Sequence, residues 1–270
     1  MKTTRFFLLH GLTLMSFFLS SMAGGTAFGS HPLVTDDTGT QGKGKFQLEM
    51  NGKAARDKEI LDGVETREDA RELVVALSAG ATDTVDLVVG LPWIRSRTKG
   101  NGATVSDESG AGDVSLELKW RFFERGGFSL AMKPGLTLPT GNEERGLGNG
   151  RPSYGLTLIA TQKWERSFLH FNMGYARNAF ELEADRESNR RGIWSASIAG
   201  GVEIVKSLTL VANVGAETNG DKGSDTWPAF LLGGFIYSVT ENMDVDLGIK
   251  KGLNRPEADL AVLGGVAWRF

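Results

Sequence analysis

The stretch GDVSLELKWRFF, residues 112–123, decides the fold class. Its alternate residues Val114, Leu116, Leu118, Trp120 and Phe122 are all large and apolar, and the residues between them are Asp, Ser, Glu, Lys and Arg. Successive side chains of a strand point to opposite faces, so the stretch predicts a β-strand with one apolar and one charged face. Three consecutive charges on the second face exclude a dry core there.

The same alternation recurs along most of the chain after residue 40. A further run, Leu73–Leu77, is continuously apolar, and we interpret it as a strand from its context. Together these segments predict about twelve strands, each near the roughly 9–11 residues that cross a bilayer at a tilt. The other alternating segments are 46–51, 85–93, 128–138, 154–164, 169–175, 194–204, 208–217, 227–237, 243–250 and 260–270.

The connections show a second regularity, since short and long ones alternate without exception. Transmembrane barrels have short periplasmic turns and longer extracellular loops. The short turns are expected near 81–84, 124–127, 164–167, 205–207 and 239–242, and the long, polar ones near 56–69, 98–111, 140–152, 181–191, 218–226 and 252–258.

The predicted fold is therefore all-β, a transmembrane antiparallel up-and-down β-barrel of about 12 strands. Aromatic residues near strand ends, such as Trp93, Trp164 and Trp268, suit the two membrane interfaces. The alternative is a β-sandwich or lipocalin-like soluble barrel, which would bury its apolar face inside. The last strand ends on Phe270, and a terminal aromatic of this kind predicts recognition by the barrel assembly machinery.

The amino terminus predicts export. Lys2 and Arg5 precede an apolar stretch, FFLLHGLTLMSFFL, and then small residues, in the order of a secretory signal peptide. We assign residues 1–29 to it, with cleavage after Ala23 or Gly29. Residues 30–44 are polar and rich in glycine, and they form either a plug inside the lumen or a disordered periplasmic tail. The barrel is expected over 45–270, in a bacterial outer membrane.

Composition narrows the function classes. The chain has no Cys, which excludes disulfides, Cys-based zinc sites and a Cys nucleophile. A net charge of −3 does not suggest a nucleic-acid binder. Acidic pairs such as Asp36-Asp37 and Glu143-Glu144 are expected to be solvated loop charges, and we predict no metal site, no cofactor and no catalytic residue.

The charged face is the candidate functional surface, because in a barrel it would line the lumen. Its charges are of both signs, which leaves either a weakly selective wet pore or a lumen closed by ion pairs. We interpret His170 as a hydrogen-bonding residue of this face. The predicted lumen-lining, substrate-binding residues are Glu117, Lys119, Arg121, Lys133, His170, Asn172, Arg177, Asp244 and Asp246. The same face is expected to carry Arg95, Arg97, Glu203, Glu217 and Lys250.

Three stretches resemble one known family: HPLVTDDTGTQGKGKFQLEMNG (residues 31–52), GAGDVSLELKWRFF (residues 110–123) and PGLTLPTGNEERGLGNG (residues 134–150). The family is that of outer-membrane barrels named for the meta-pathway of phenol degradation, and the resemblance spans most of the chain from residue 31. It implies an outer-membrane channel of Gram-negative bacteria that takes up aromatic or other small hydrophobic compounds.

Three functions follow as hypotheses. The leading one is a channel for passive or facilitated uptake of small molecules, acting as a monomer in contact with outer-membrane lipid. The second is a structural or adhesive barrel without transport. The third, a lipid-modifying enzyme, would need catalytic groups that face lipid, whereas His170 lies on the polar face.

Overall fold

A computed structural model describes residues 31–61 and 63–270, and the predicted signal peptide lies outside these residues. The described part contains thirteen strand segments and two short helical ones, a 3-10 turn at Glu143–Arg145 and α1 at Glu183–Ser188. No helix in this part has the length and hydropathy to cross a membrane. The strands are β1 (Phe46–Leu61), β2 (Val64–Gly80), β3 (Val85–Gly100), β4 (Ala103–Ala111), β5 (Val114–Arg125), β6 (Phe128–Leu138), β7 (Ser153–Lys163), β8 (Ser167–Arg177), β9 (Gly192–Val205), β10 (Leu208–Glu217), β11 (Ala229–Thr240), β12 (Met243–Gly252) and β13 (Leu260–Arg269).

The strands close into an antiparallel barrel in which consecutive strands pair, except for β4 and β5, and β1 pairs with β13. Segments β4 and β5 are two halves of one wall strand, because β3 pairs with β5 along its first half and with β4 along its second half. The wall strand is interrupted only at Gly112-Asp113. The barrel therefore has twelve wall strands, as the alternation predicted.

The two faces of the wall strands differ as the opening stretch predicted. On β5, Leu116, Leu118 and Trp120 are 38–43% exposed on the outside. Glu117 and Lys119, which lie between them, are 8% and 4% exposed and point inward. A soluble barrel would have the apolar face inside, so the lipid-facing arrangement is confirmed.

Exposed aromatic side chains form a ring at each end of the apolar band, as membrane barrels have at the two interfaces. At the short-turn end, Phe46 stacks on Phe270 with ring centroids 5.8 Å apart, where the first and last strands meet. The ring at that end includes Trp120, Phe122, Trp164 and Trp268, and the ring at the opposite end includes Trp93, Tyr154, Trp194 and Trp227.

The prediction of long loops at two positions is wrong. Residues 56–69 and 98–111 belong to tall hairpins, β1–β2 and β3–β4, whose pairing continues to within a few residues of the tips. These hairpins rise above the apolar band, so both of their faces are polar. The hydrophobic alternation that marks a membrane strand is therefore missing there, although the backbone pairing is regular.

The connection between β6 and β7 completes the wall beside β4, which pairs only with β3 among the described strands. The Asp113 carboxylate at the interruption accepts hydrogen bonds from the backbone N–H groups of Gly141 and Asn149, both at 2.8 Å. Leu147 of this connection is 3% exposed, and Arg145 pairs with Glu108 of β4 at 2.7 Å. The connection thus acts as a piece of wall at the long-loop end.

Candidate functional site in the barrel lumen

Most of the predicted lumen residues do point inward. Glu117, Lys119, Lys133, His170 and Asn172 are each at most 8% exposed. The Asp246 side chain is 6% exposed, whereas those of Asp244 and Arg121, nearer the short-turn end, are 17% and 21% exposed.

Arg177 does not line the lumen. It has the same parity on β8 as Leu169, Phe171 and Met173, and like them it is exposed on the outer face. Arg95 and Arg97 are misplaced for the same reason, since the inward residues of β3 are even-numbered. Arg95 and Arg97 were expected inside because charged side chains avoid lipid. They lie above the apolar band, however, where outward side chains also contact water.

The segment from His31 to Gly44 passes through the lumen. Its residues make side-chain contacts with inward residues of strands all around the barrel. His31 pairs with Asp246 on β12, and Thr38 is hydrogen-bonded to Ser129 on β6. Near the short-turn end, the Gln41 N–H donates to both carboxylate oxygens of Asp86 on β3.

Asp36 is the centre of a buried ionic cluster. Its carboxylate lies 2.9 Å from the Lys119 ammonium and 3.0 Å from that of Lys133, and Lys133 also lies 3.2 Å from Glu117. None of these four side chains is more than 5% exposed. Two cations and two anions thus balance, which a buried cluster needs because unpaired buried charges are costly. The expectation of a solvated loop charge at Asp36 is wrong.

Amide and hydroxyl groups hold the backbone of the segment on both sides of Asp36. With its O and N placed by hydrogen bonding, the Asn172 carboxamide accepts from the Asp36 N–H at 2.7 Å and donates to its carbonyl at 2.9 Å. The Asn213 side chain accepts from the N–H groups of Val34 and Thr35, at 2.7 and 3.1 Å. Buried backbone groups need such partners, and the lumen side chains supply them.

His170 is part of this support. It is 3% exposed, it stacks on Phe168, and its Nδ1 lies 2.9 Å from the Thr161 hydroxyl. Thr161 in turn accepts from the Thr38 N–H at 3.2 Å. His170 therefore acts as a hydrogen-bonding residue of the lumen.

The start of the segment lies in an apolar part of the lumen. Leu33 is 3% exposed and packs in a cluster with Phe230, Leu232 and Leu263. Pro32 lies against Gly248, where an added Cβ would come within 2.8 Å of the proline ring. The strand is glycine at this position because only a residue without a side chain leaves room for Pro32.

Two cavities lie on opposite sides of this segment. The outer cavity, toward the long loops, has a volume of about 240 Å³, and His31, Leu33 and Val34 form part of its lining. The inner cavity, toward the short turns, is about 480 Å³, and Asp37 and residues 39–41 contribute to its lining. Thr35, Asp36 and Thr38, at most 1% exposed, lie between them. The segment therefore separates two cavities of the lumen.

The outer cavity has two unlike walls. One wall, from β6 to β9, carries small residues such as Gly135, Thr157, Gly174 and Ser195. The opposite wall is charged, and there Lys250 pairs with Glu257 at 2.7 Å and lies 4.8 Å from the Phe230 ring centroid. The other charged side chains of this wall are Lys53, Glu72 and Glu217.

Sequence reasoning missed part of this charged wall. Lys53 and Glu72 face each other in register, at a height where the outer face of β1 has already lost its large apolar residues. Gln47, Glu49 and Asn51 are odd-numbered and point inward. Continuing this alternation by one step predicts that Lys53 points inward as well. Glu257 lies in a connection, and no periodicity points to it.

No metal site accompanies these charges. In the part of the chain that the structure describes, no three His, Asp or Glu side chains are grouped so as to hold a metal ion. What the arrangement can do is bind and pass polar solutes or stay closed.

A closed barrel with a lipid-facing apolar band, short turns at one end and a polar lumen is a β-barrel of the outer-membrane type. The family model described as "Putative MetA-pathway of phenol degradation" matches residues 35–270, and the chain belongs to that family. No curated protein matches the chain.

Solved structures with this fold include channels and autotransporter domains. The COG4313 outer membrane channel from Pseudomonas putida F1 has a TM-score of 0.71 and 17% identity, over 87% of this chain and 98% of that one. The NanC porin has a TM-score of 0.55 at 11% identity, over 82% and 98%. The β domain of the Bordetella autotransporter BrkA has a TM-score of 0.54 at 10% identity, over 84% and 100%. At these identities the likeness establishes the fold.

Proposed function

We propose that this protein is an outer-membrane channel for the uptake of small molecules, and that the segment His31–Gly44 is its constriction. The observation that carries the proposal is the pair of cavities separated by one thin partition. A barrel whose interior served only stability would be filled along its length, as narrow barrels are. Here the lumen holds a cavity on each side of Thr35, Asp36 and Thr38.

The outer cavity supports a solute class. Its volume of about 240 Å³ suits a single ring with one or two polar substituents. Leu33, Phe230 and Leu263 offer an apolar contact, while Lys250 and the hydroxyls of Thr157 and Ser195 offer polar ones. A monocyclic aromatic compound with a hydroxyl or carboxylate matches this mixture, in agreement with what the family resemblance implies.

Export completes the proposal. Residues 1–29 act as the signal peptide, and the last strand, which ends at Phe270 beside the seam with β1, is the element recognised by the barrel assembly machinery. The long-loop end then faces outward and the short turns face the periplasm.

Liposome swelling with the purified protein tests the channel. We expect influx of a monocyclic aromatic acid to exceed influx of a sugar of similar mass, and deletion of residues 31–44 to raise both rates and reduce the preference. If neither protein admits any solute, the protein is not a channel.

A second candidate is a barrel without transport, closed by its own segment. The complete burial of Thr35 and Asp36 favours it. Flux through the deletion variant alone, with none through the full mature chain at any voltage in planar bilayers, would support this candidate over the first.

A further inference from the structure

The outer face of the tall hairpins carries an excess of positive charge directly above the apolar band. We call this surface the cationic ridge. Strand parity places seven cations and three acids of β1–β4 on this outward face, so its net charge is positive. The cations are Arg56, Lys58, Arg67, Arg71, Arg95, Arg97 and Lys99, and the acids are Glu65, Asp69 and Asp107.

Two arginines of the ridge face each other. Arg71 on β2 and Arg95 on β3 are register partners, so their Cβ atoms are about 4.5–5.5 Å apart on the same face. Like charges directly opposite each other destabilise a sheet. In residues 31–61 and 63–270, no acidic side chain forms an ion pair with Arg71. An anion between the two guanidinium groups would relieve this repulsion.

The three acids of the ridge do not neutralise its seven cations. Asp69 and Asp107 are each shared by two arginines, and Glu65 pairs with Lys58 at 2.9 Å. Asp69 accepts from Arg56 at 3.1 Å and from Arg67 at 3.0 Å. Both carboxylate oxygens of Asp107 accept from Arg95, each at 3.1 Å, and Oδ2 also accepts from Arg97. Hydrogen bonds from these two arginines lower the pKa of Asp107, which lies above the apolar band, to about 2. The charge balance of the ridge is therefore constant at neutral pH.

The height of the arginine pair is that of a lipid headgroup. The next outward register pair toward the membrane is Leu73 and Trp93, which are 40% and 45% exposed. Outward pairs along a strand are about 6.6–6.8 Å apart. The guanidinium groups of Arg71 and Arg95 thus begin where the apolar band ends.

The rest of the rim differs. At the corresponding level, the β7–β11 side of the rim presents aromatic side chains, such as Tyr154 on β7, Trp194 on β9 and Trp227 just before β11. The outward cations of β7–β12 near this level are Arg177 and Lys251, on different strands and not in register with each other. The paired cations are confined to one side of the barrel.

We propose that Arg71 and Arg95 bind the phosphate group of a phosphorylated glycolipid in the outer leaflet, with its acyl chains along Leu73 and Trp93. Two planar guanidinium groups match the oxygens of a phosphate and form strong, charge-assisted hydrogen bonds with it. Arg97 and Arg56 flank the pair and hold the adjacent acids. The inference rests on the outer-membrane location in the proposed function, and not on transport.

Lipid binding to the purified full chain tests this site. By native mass spectrometry of the detergent-solubilised protein, lipid A is compared with dephosphorylated lipid A and with inorganic phosphate. We expect R71Q/R95Q to weaken lipid A binding about tenfold. The matched control R177Q/K251Q removes the same charge from the rim and should leave binding unchanged.

Several outcomes would overturn the site. They are equal losses in both double variants, equal binding of dephosphorylated lipid A, and inorganic phosphate binding as tightly as the lipid. Heat-modifiable migration in gels checks folding. If R71Q/R95Q does not fold, R71K/R95K replaces it, and we expect its affinity for lipid A to be lower than that of wild type by less than tenfold. The conductance of every variant should equal that of wild type. If the barrel does not conduct but R71Q/R95Q still weakens lipid A binding, the proposed transport is refuted and the lipid site is not.

Discussion

The Asp36 carboxylate lies 2.9 Å from the Lys119 ammonium in the middle of the barrel, although 83 residues separate the two in sequence. Lys119 belongs to the wall and Asp36 to the segment that crosses the lumen. The pair therefore joins the constriction of the proposed channel to the barrel wall.

Replacing Asp36 should open the lumen. In D36N, Lys119 and Lys133 lose their shared anion, and the segment loses its strongest attachment. We expect larger single-channel conductance in planar bilayers. Breaking a buried pair in this way costs about 3–5 kcal/mol. The control E241Q, an exposed acid in a short turn, changes the charge equally and should conduct as wild type does. Conductance of D36N equal to that of wild type would mean that Asp36 does not hold the constriction.

The ionic cluster should show energetic coupling. D36N and K119M each leave buried charge uncompensated, whereas the double variant removes one cation together with one anion. We expect the double variant to be more stable than the sum of the single effects predicts, by about 1–3 kcal/mol. Urea unfolding in micelles, followed by tryptophan fluorescence, measures it. Additive effects would show that the contact carries little energy.

A single methyl group on β12 should displace the segment. In G248A the new Cβ would lie 2.8 Å from Pro32, which is too close without movement. We expect faster proteolysis of the amino-terminal segment and higher conductance. On the neighbouring strand, G233A adds a Cβ with no atom within 4 Å and serves as the control. If G248A and G233A show the same proteolysis rate and conductance, the wall accommodates the added methyl group and Pro32 is not displaced.

The outer cavity should influence ion selectivity. K250Q removes a lumen cation and leaves Glu257 and Glu217, so reversal potentials in a KCl gradient should shift toward cation preference. A unit charge about 8 Å from an ion in water contributes about 0.5 kcal/mol, or roughly a twofold change in permeability ratio. K251Q alters the next residue, which is exposed on the outer face, and should produce no shift. If K251Q shifts the reversal potential by the same amount, the change arises from the surface potential of the protein and not from the charge in the lumen.

The membrane part of the fold could be predicted from sequence because lipid on one side and water on the other impose a period of two. Val114 to Phe122 carry that period, and even the continuous run Leu73–Leu77 lies in β2. The tall hairpins were missed because nothing above the band forces residues such as Arg95 to differ from their neighbours. Arg177 faces outward because strand parity, and not the charge of a side chain, sets the face on which the side chain lies.

The lumen could be predicted only in part. Parity gave the inward direction of Glu117, Lys119 and Lys133, but parity says nothing about what a side chain meets across the barrel. Asp36 lies in a segment without periodicity, and its partners on β5 and β6 are determined by three-dimensional closure. A buried ion pair between a loop and a distant strand leaves no local pattern in a single sequence.

The contacts of the lumen segment also set an order of assembly. The segment precedes β1, yet it contacts strands from β3 to β12, and β1 pairs with the last strand, β13. Its binding site does not exist until nearly the whole chain has been placed, and contacts so distant in sequence form late. The barrel must therefore close around a segment already inside it or admit the segment afterwards from the short-turn end.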